Sequence, residues 1–260
     1  MSVGMSDERV LVFEDHFDAP GLDASTWVPH YLPAWSSRAE TAASYEVRDS
    51  CLHLRVPVDH PVWCADEHTP PIRVSGIQSA SWSGPVGSTQ GQQRFREGQT
   101  VREEQPEHLG WTPDHGWVEL RARAVVTPRS MVALWMVGLE QVPEQSGEIY
   151  VVEMFGDAVE PGLSAAVGMG LHAFRDPAVA EDFAAPRLPI DLSAWHTYAV
   201  RWDAERADFH VDGRLVRSCP RPPAYPLQLM LAVFDFPEKS DGHDVGAVPE
   251  LVVDWVRGYE

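Results

Sequence analysis

The chain has 260 residues, of which 44% are hydrophobic and 23% charged, a composition that buries a sizeable core and excludes disorder throughout. Lys and Arg total 20 against 39 Asp and Glu, giving a net charge of −19. A field of that sign repels phosphates and anionic lipid, so it argues against nucleic acid and acidic membrane surfaces and favours a neutral partner.

The N-terminus carries Asp7 and Glu8 and an apolar run of only Val10 to Phe13. That is too short for the core of a signal peptide, so the sequence as it stands predicts a cytoplasmic location. Cys51, Cys64 and Cys219 are odd in number and far apart, which fits buried thiols and neither a disulfide framework nor a metal site. Leu52, Leu54, Val56 and Val58 alternate with His53, Arg55 and Pro57, the period of a half-buried strand. Ser83 to His115 loses this pattern and is rich in Gly, Gln and charge, which predicts a long loop, of the kind that is either a functional lid or disordered. Alternation returns at Val118, Leu120, Ala122 and Ala124. The longest apolar run, Met131 to Leu139, is far short of the ~20 residues that span a bilayer.

Tyr198, Val200 and Trp202 alternate with polar neighbours, as do Phe209 and Val211 before Asp212-Gly213, a hairpin turn signal. Leu227 to Phe236 and Leu251 to Val256 complete the strand candidates. No dozen residues hold a 3.6 period, and 22 prolines interrupt the chain. Many short strands with Gly and Pro turns predict one all-β domain over residues 1–260, an antiparallel sandwich or barrel.

Gly147-Glu-Ile-Tyr-Val-Val-Glu-Met-Phe-Gly156 sets two acids in an apolar strand. Ionised carboxylates are costly to bury without partners, so these face solvent or line a polar cleft. Their spacing of five sends Glu148 and Glu153 to opposite faces of a regular strand. One extra residue among Tyr150 to Val152 would form a bulge and bring both acids, with Tyr150, to one face. Two carboxyls about 5–5.5 Å apart are what a retaining glycosidase uses. The plainer alternative is one acid at the strand's exposed start and one pairing with a neighbour.

This stretch resembles the ExDxxE signature of the family-16 glycoside hydrolases, the laminarinase-like β-glucanases. Val10-Leu-Val-Phe-Glu-Asp-His-Phe-Asp18 with Leu22-Asp-Ala-Ser-Thr-Trp27, Ser75-Gly-Ile-Gln-Ser79 and Gly116-Trp-Val-Glu-Leu-Arg-Ala-Arg123 resemble that family's earlier segments. Ala133-Leu-Trp-Met136, Trp195-His-Thr-Tyr-Ala-Val-Arg-Trp202, Phe209-His-Val-Asp-Gly213 and Asp254-Trp-Val-Arg257 resemble the rest, in the family's order. The resemblance implies a concanavalin-like β-jelly roll of two antiparallel sheets with a concave substrate cleft. It implies Glu148 as nucleophile and Glu153 as acid/base. Tyr150 replaces the family's middle Asp, whose hydrogen bond adjusts the nucleophile's protonation; a phenol can donate such a bond but cannot hold a proton as a carboxylate does at neutral pH.

The resemblance further implies that Trp135 and His172 line the cleft, and that Asp254 helps hold a structural calcium with backbone carbonyls; the alternative for Asp254 is a pair with Arg257 or with a neighbouring strand. Trp27, Trp195, Trp202 and Trp255 read as packing, whereas Trp82, Trp111 and Trp117 flank the long loop and border either cleft or core. No zinc, nucleotide or serine-hydrolase motif is present, so no redox or nucleotide cofactor is expected. The expected activity is retaining endo-hydrolysis of a neutral β-1,3 or mixed-linkage glucan by a monomer. A glycan-binding module without turnover and a transglycosylase are the alternatives.

Overall fold

Alternating sequence segments pair as strands in a computed structural model that describes residues 9–240, 242 and 246–260. Residues 1–8, on which the reading of the N-terminus partly rests, lie outside the described residues. One antiparallel sheet has eight strands, running Arg214–Pro220, Arg206–Val211, His196–Trp202, Gly116–Val125, Glu250–Tyr259, Cys51–Arg55 and Tyr45–Arg48, with Leu11–Asp15 also paired to Glu250–Tyr259. The second has six, in the order Asp182–Ala184, Gly168–His172, Glu148–Phe155, Ser130–Gly138, Leu227–Asp235 and Arg73–Gln78.

The sheets pack face to face. Leu52, Leu54, Val118, Leu120, Val200 and Phe209 from the first meet Val132, Leu134, Met136, Leu229 and Leu231 from the second. Each such side chain contributes about 1.5–3 kcal/mol by leaving water. The six-stranded sheet is also covered on its other face, where Met131, Ala133, Trp135, Val137, Met230 and Phe234 pack under Leu32, Trp35, Trp63 and Val101. Burial on both faces explains why Met131 to Leu139 is continuously apolar: the strand has no solvent side to make polar. No helix among the described residues is long and apolar enough to cross a membrane.

Asp212 and Gly213 form the predicted turn, with φ of 49° and 72° between the directly paired Val211 and Arg214. Left-handed backbone at both positions twists with the strands, which is why Asp-Gly suits it. The three cysteines are free and buried. After Ser81 the chain stays irregular until His108–Leu109 pairs with Ala80–Ser81, yet this segment is anchored. Gln92, Gln99 and Gln105 are buried, and their side-chain oxygens accept from Trp82 N, Phe95 N and Arg38 Nε.

Gly170 lies opposite Tyr150 in the neighbouring strand, with φ of 144°. A Cβ there would collide with the Asp182 carbonyl oxygen and lie 2.8 Å from Phe183 Cα. Gly170→Ala is therefore expected to lower stability by about 2–4 kcal/mol in urea denaturation. A loss under ~0.5 kcal/mol would mean that the edge strand Asp182–Ala184 yields freely.

Candidate active site

Glu148–Phe155 lies between Gly168–His172 and Ser130–Gly138, and its register breaks once. Leu134 faces Val152 but Trp135 faces Tyr150, so Val151 is the extra residue. The same slip appears toward the other neighbour, between Gly168 and Gly170. Val151 and Val152 both enter the intersheet core, with Ile149 and Met154. Glu148, Tyr150 and Glu153 are left together on the opposite face, around a cavity of about 120 Å³ that Tyr31, Gln93 and Trp135 also line. The bulge stands where the spacing of the acids required it.

The two acids have unlike surroundings. Glu148 is 3% exposed, and two neutral donors close on it: Gln93 Nε2 at 2.5 Å from Oε1, and the Tyr150 hydroxyl at 2.8 Å from Oε2. Burial raises the Glu148 pKa, while the Tyr150 bond, the His172 charge and the Gln93 bond pull it back. Glu153 receives no hydrogen bond among the described residues. Its pKa is pushed up to about 7, first by burial and then by the charge on Glu148. Donors aimed at a carboxylate favour its anion, so Glu148 ionises first and Glu153 keeps the remaining proton. Burial also raises the Tyr150 phenol, which therefore stays a hydrogen-bond donor at neutral pH.

Gln93 comes from the long loop and is held there by a buried acid. Its backbone N–H donates to Glu140 Oε1 at 2.5 Å. Glu140, 4% exposed, is ion-paired with Arg175, whose other terminal nitrogen donates to the Arg94 carbonyl at 3.0 Å. Gln93 and Glu140 both adopt left-handed backbone, with φ of 48° and 57°. Strain of this kind persists where surrounding bonds over-determine it. Burial pushes the Glu140 pKa up to about 7, against the pull of Arg175.

The model of glycosyl hydrolases family 16 matches residues 112–256, more than half of the chain and all of the acidic strand. The chain belongs to that family. It is a glycoside hydrolase. A GlcNAcα1-4Gal-releasing endo-β-galactosidase from Clostridium perfringens is similar to it in structure, with a TM-score of 0.80 and 24% identity. That match covers 98% of this chain, which spans only 63% of the other. A laminarinase from Flavobacterium sp. UMI-01 gives a TM-score of 0.64 at 20% identity, over 96% of this chain and 100% of that one. The catalytic domain of an endo-1,3-β-glucanase (laminarinase) from Thermotoga petrophila RKU-1 gives 0.65 at 18%, over 97% and 98%. These identities speak for a shared fold. A comparison with curated proteins found no match.

Within this family-16 fold, Trp135 is 4% exposed and forms the cavity wall with Tyr31 and Phe234, their ring centroids 5.6–6.4 Å apart. His172 pairs with Glu148 across the strands, but its Nδ1 turns to Glu181 Oε1 at 2.5 Å and it is not part of that wall. Of the three tryptophans flanking the loop, Trp82 lines a separate cavity with Arg94, Glu140 and Arg175. Trp111 stacks on Phe13, and Trp117 lies under Arg9. Asp254 sits at a bulge of the eight-stranded sheet with its carboxylate against the Arg121 guanidinium. That guanidinium supplies the charge a cation would, and no cluster of three metal-binding side chains occurs among the described residues. The Asp254 carboxylate is thus matched by an arginine of the neighbouring strand. Sequence reasoning missed Gln93, Glu140 and Arg175, which lie in irregular segments with no motif.

Native Glu153 holds its proton up to about pH 7, whereas an unfolded glutamate releases it near 4.5. The native state therefore binds more protons across that window, and stability falls as pH rises through it. Glu153→Gln removes the titrating group. The variant is expected to match the wild type at pH 4.5 and to exceed it by about 1–2 kcal/mol at pH 8 in urea denaturation, after allowance for the solvent that reaches the side chain. Equal stability at both pH values would contradict a raised Glu153.

Proposed function

We propose that the protein is a retaining endo-glycoside hydrolase acting on a neutral β-linked glycan, with β-1,3-glucan the first candidate. One observation carries the reading: two carboxylates share one face of one strand, and one is dressed to be an anion while the other keeps its proton. Glu148 attacks the anomeric carbon as Glu153 protonates the leaving oxygen, which gives a glycosyl-enzyme. Glu153, now ionised, takes a proton from the incoming water, whose oxygen displaces Glu148.

Tyr150 and Gln93 act through Glu148. As neutral donors they hold its carboxylate in position and favour its anion without adding a charge beside Glu153. Tyr31, Trp135 and Phe234 offer an aromatic wall against which a sugar's apolar face can pack. The β-glucan assignment is supported by likeness to laminarinases. A second reading, cleavage of a β-galactosidic bond, is favoured by the higher TM-score, 0.80, with the endo-β-galactosidase.

Reducing-end release from laminarin, lichenan and β-galactan separates these substrates. On the one that is cleaved, Glu153→Ala is expected to lower kcat by about 10²–10⁴, and Glu148→Ala by at least as much. Azide assigns the roles on substrates with good leaving groups. It fills the space of a missing nucleophile, so Glu148→Ala gives the inverted glycosyl azide and Glu153→Ala the retained one. The opposite stereochemistry would exchange the two roles, and full activity in either variant would remove that residue from the mechanism.

A further inference from the structure

A larger cavity of about 560 Å³ is lined in part by Gly91 and Arg94, close to Gln93 in the same loop, and the catalytic scheme places no substrate in it. Trp82, Gln90, Arg94, Glu140, Gln141 and Arg175 are among the side chains that line it. The two spaces share one support: Gln93 reaches Glu148 through its side chain and Glu140 through its backbone N–H.

The charge of the cavity is unlike that of the chain. Glu140 is matched by Arg175, and both are locked in the clamp that carries the loop. Arg94 makes no ion pair or side-chain hydrogen bond among the described residues, although its own carbonyl is fixed by Arg175. Among the described residues, Glu107 meets the cavity's lining by accepting from the Gln141 amide at 2.7 Å. In a chain with about two acids for each base, an arginine left without a carboxylate, on an anchored backbone and facing a cavity, has an open fork of donors. That fork matches the paired oxygens of a carboxylate or sulfate. Trp82 lines the same cavity and offers it an amphipathic ring, its indole N–H already donating to the Leu139 carbonyl at 2.5 Å.

We propose that this cavity is a subsite for a glycan residue bearing an acidic substituent, a carboxylate or a sulfate ester, which Arg94 binds while Trp82 carries the sugar ring. The proposal rests on the glycosidase reading for its neighbouring residue over the acids. The net charge of −19 disfavours an acidic polymer at long range, but beyond ~8–10 Å it is screened at physiological salt. A single substituent in contact with Arg94 is governed by the local pair.

The test measures binding and cleavage separately, using the full chain and Arg94→Gln. The probes are neutral β-1,3-gluco- and β-galacto-oligosaccharides and their 6-sulfated and 6-carboxylated derivatives, titrated calorimetrically and assayed for cleavage. The wild type is expected to bind one acidic derivative about tenfold more tightly than its neutral parent. The sulfated and carboxylated arms tell which acid is preferred. Arg94→Gln should abolish the difference and leave affinity and kcat/KM for the neutral parent unchanged, and Arg94→Lys should restore part of it. Equal binding of acidic and neutral chains by the wild type would overturn the subsite, as would equal losses for both in Arg94→Gln. Failure of every chain to be cleaved would instead refute the glycosidase reading, and Arg94-dependent binding of an acidic chain would still uphold the subsite.

Discussion

A β-strand repeats its side-chain direction every two residues, so acids five apart cannot share a face unless the strand takes up one residue more than its neighbours. Val151 is that residue. Its cost is an interrupted ladder, and the intersheet core offsets that cost by burying Val151 and Val152 side by side. The apolar identity of both residues is therefore part of the chemistry: it turns Glu148 and Glu153 outward to one cavity. Gly170 completes the arrangement, since a side chain there would meet the edge strand beside it.

Bringing two carboxyls together does not by itself make them different. The difference comes from what closes on each: Glu148 receives donors from Gln93 and Tyr150, and Glu153 receives none among the described residues. Where the family resemblance implies an Asp, Tyr150 supplies a hydrogen bond with no charge. Glu153 is then held protonated mainly by burial and by Glu148 alone. The long loop takes part in this directly, because the Glu140–Arg175 ion pair fixes the backbone from which Gln93 reaches in.

The sequence made some of this legible and left some hidden, for physical reasons. Period-two alternation exposed the strands of the eight-stranded sheet, which has one polar face, and Asp212-Gly213 exposed a turn that needs left-handed backbone. The parity of Glu148 and Glu153 exposed the bulge, since only an inserted residue reconciles an odd spacing with a shared site. Gln93 stayed hidden because its role depends on a contact across 55 positions, and a glutamine in a polar loop carries no period. Glu140 and Arg175 stayed hidden likewise, being paired across 35 positions. The partner of Asp254 stayed hidden as well, because Arg121 comes from a strand adjacent in space and 133 positions away in sequence.

Everything in the account turns on the coupling between the two acids, which carboxyl ¹³C NMR can observe directly. With glutamate side-chain carboxyls labelled, Glu153 is expected to titrate near pH 7 in the wild type. In Glu148→Gln, which removes the neighbouring charge, its midpoint should fall toward the ordinary range while burial keeps it above that range. A Glu153 that titrates near 4.5 in the wild type, or that does not move when Glu148 is neutralised, would contradict the account.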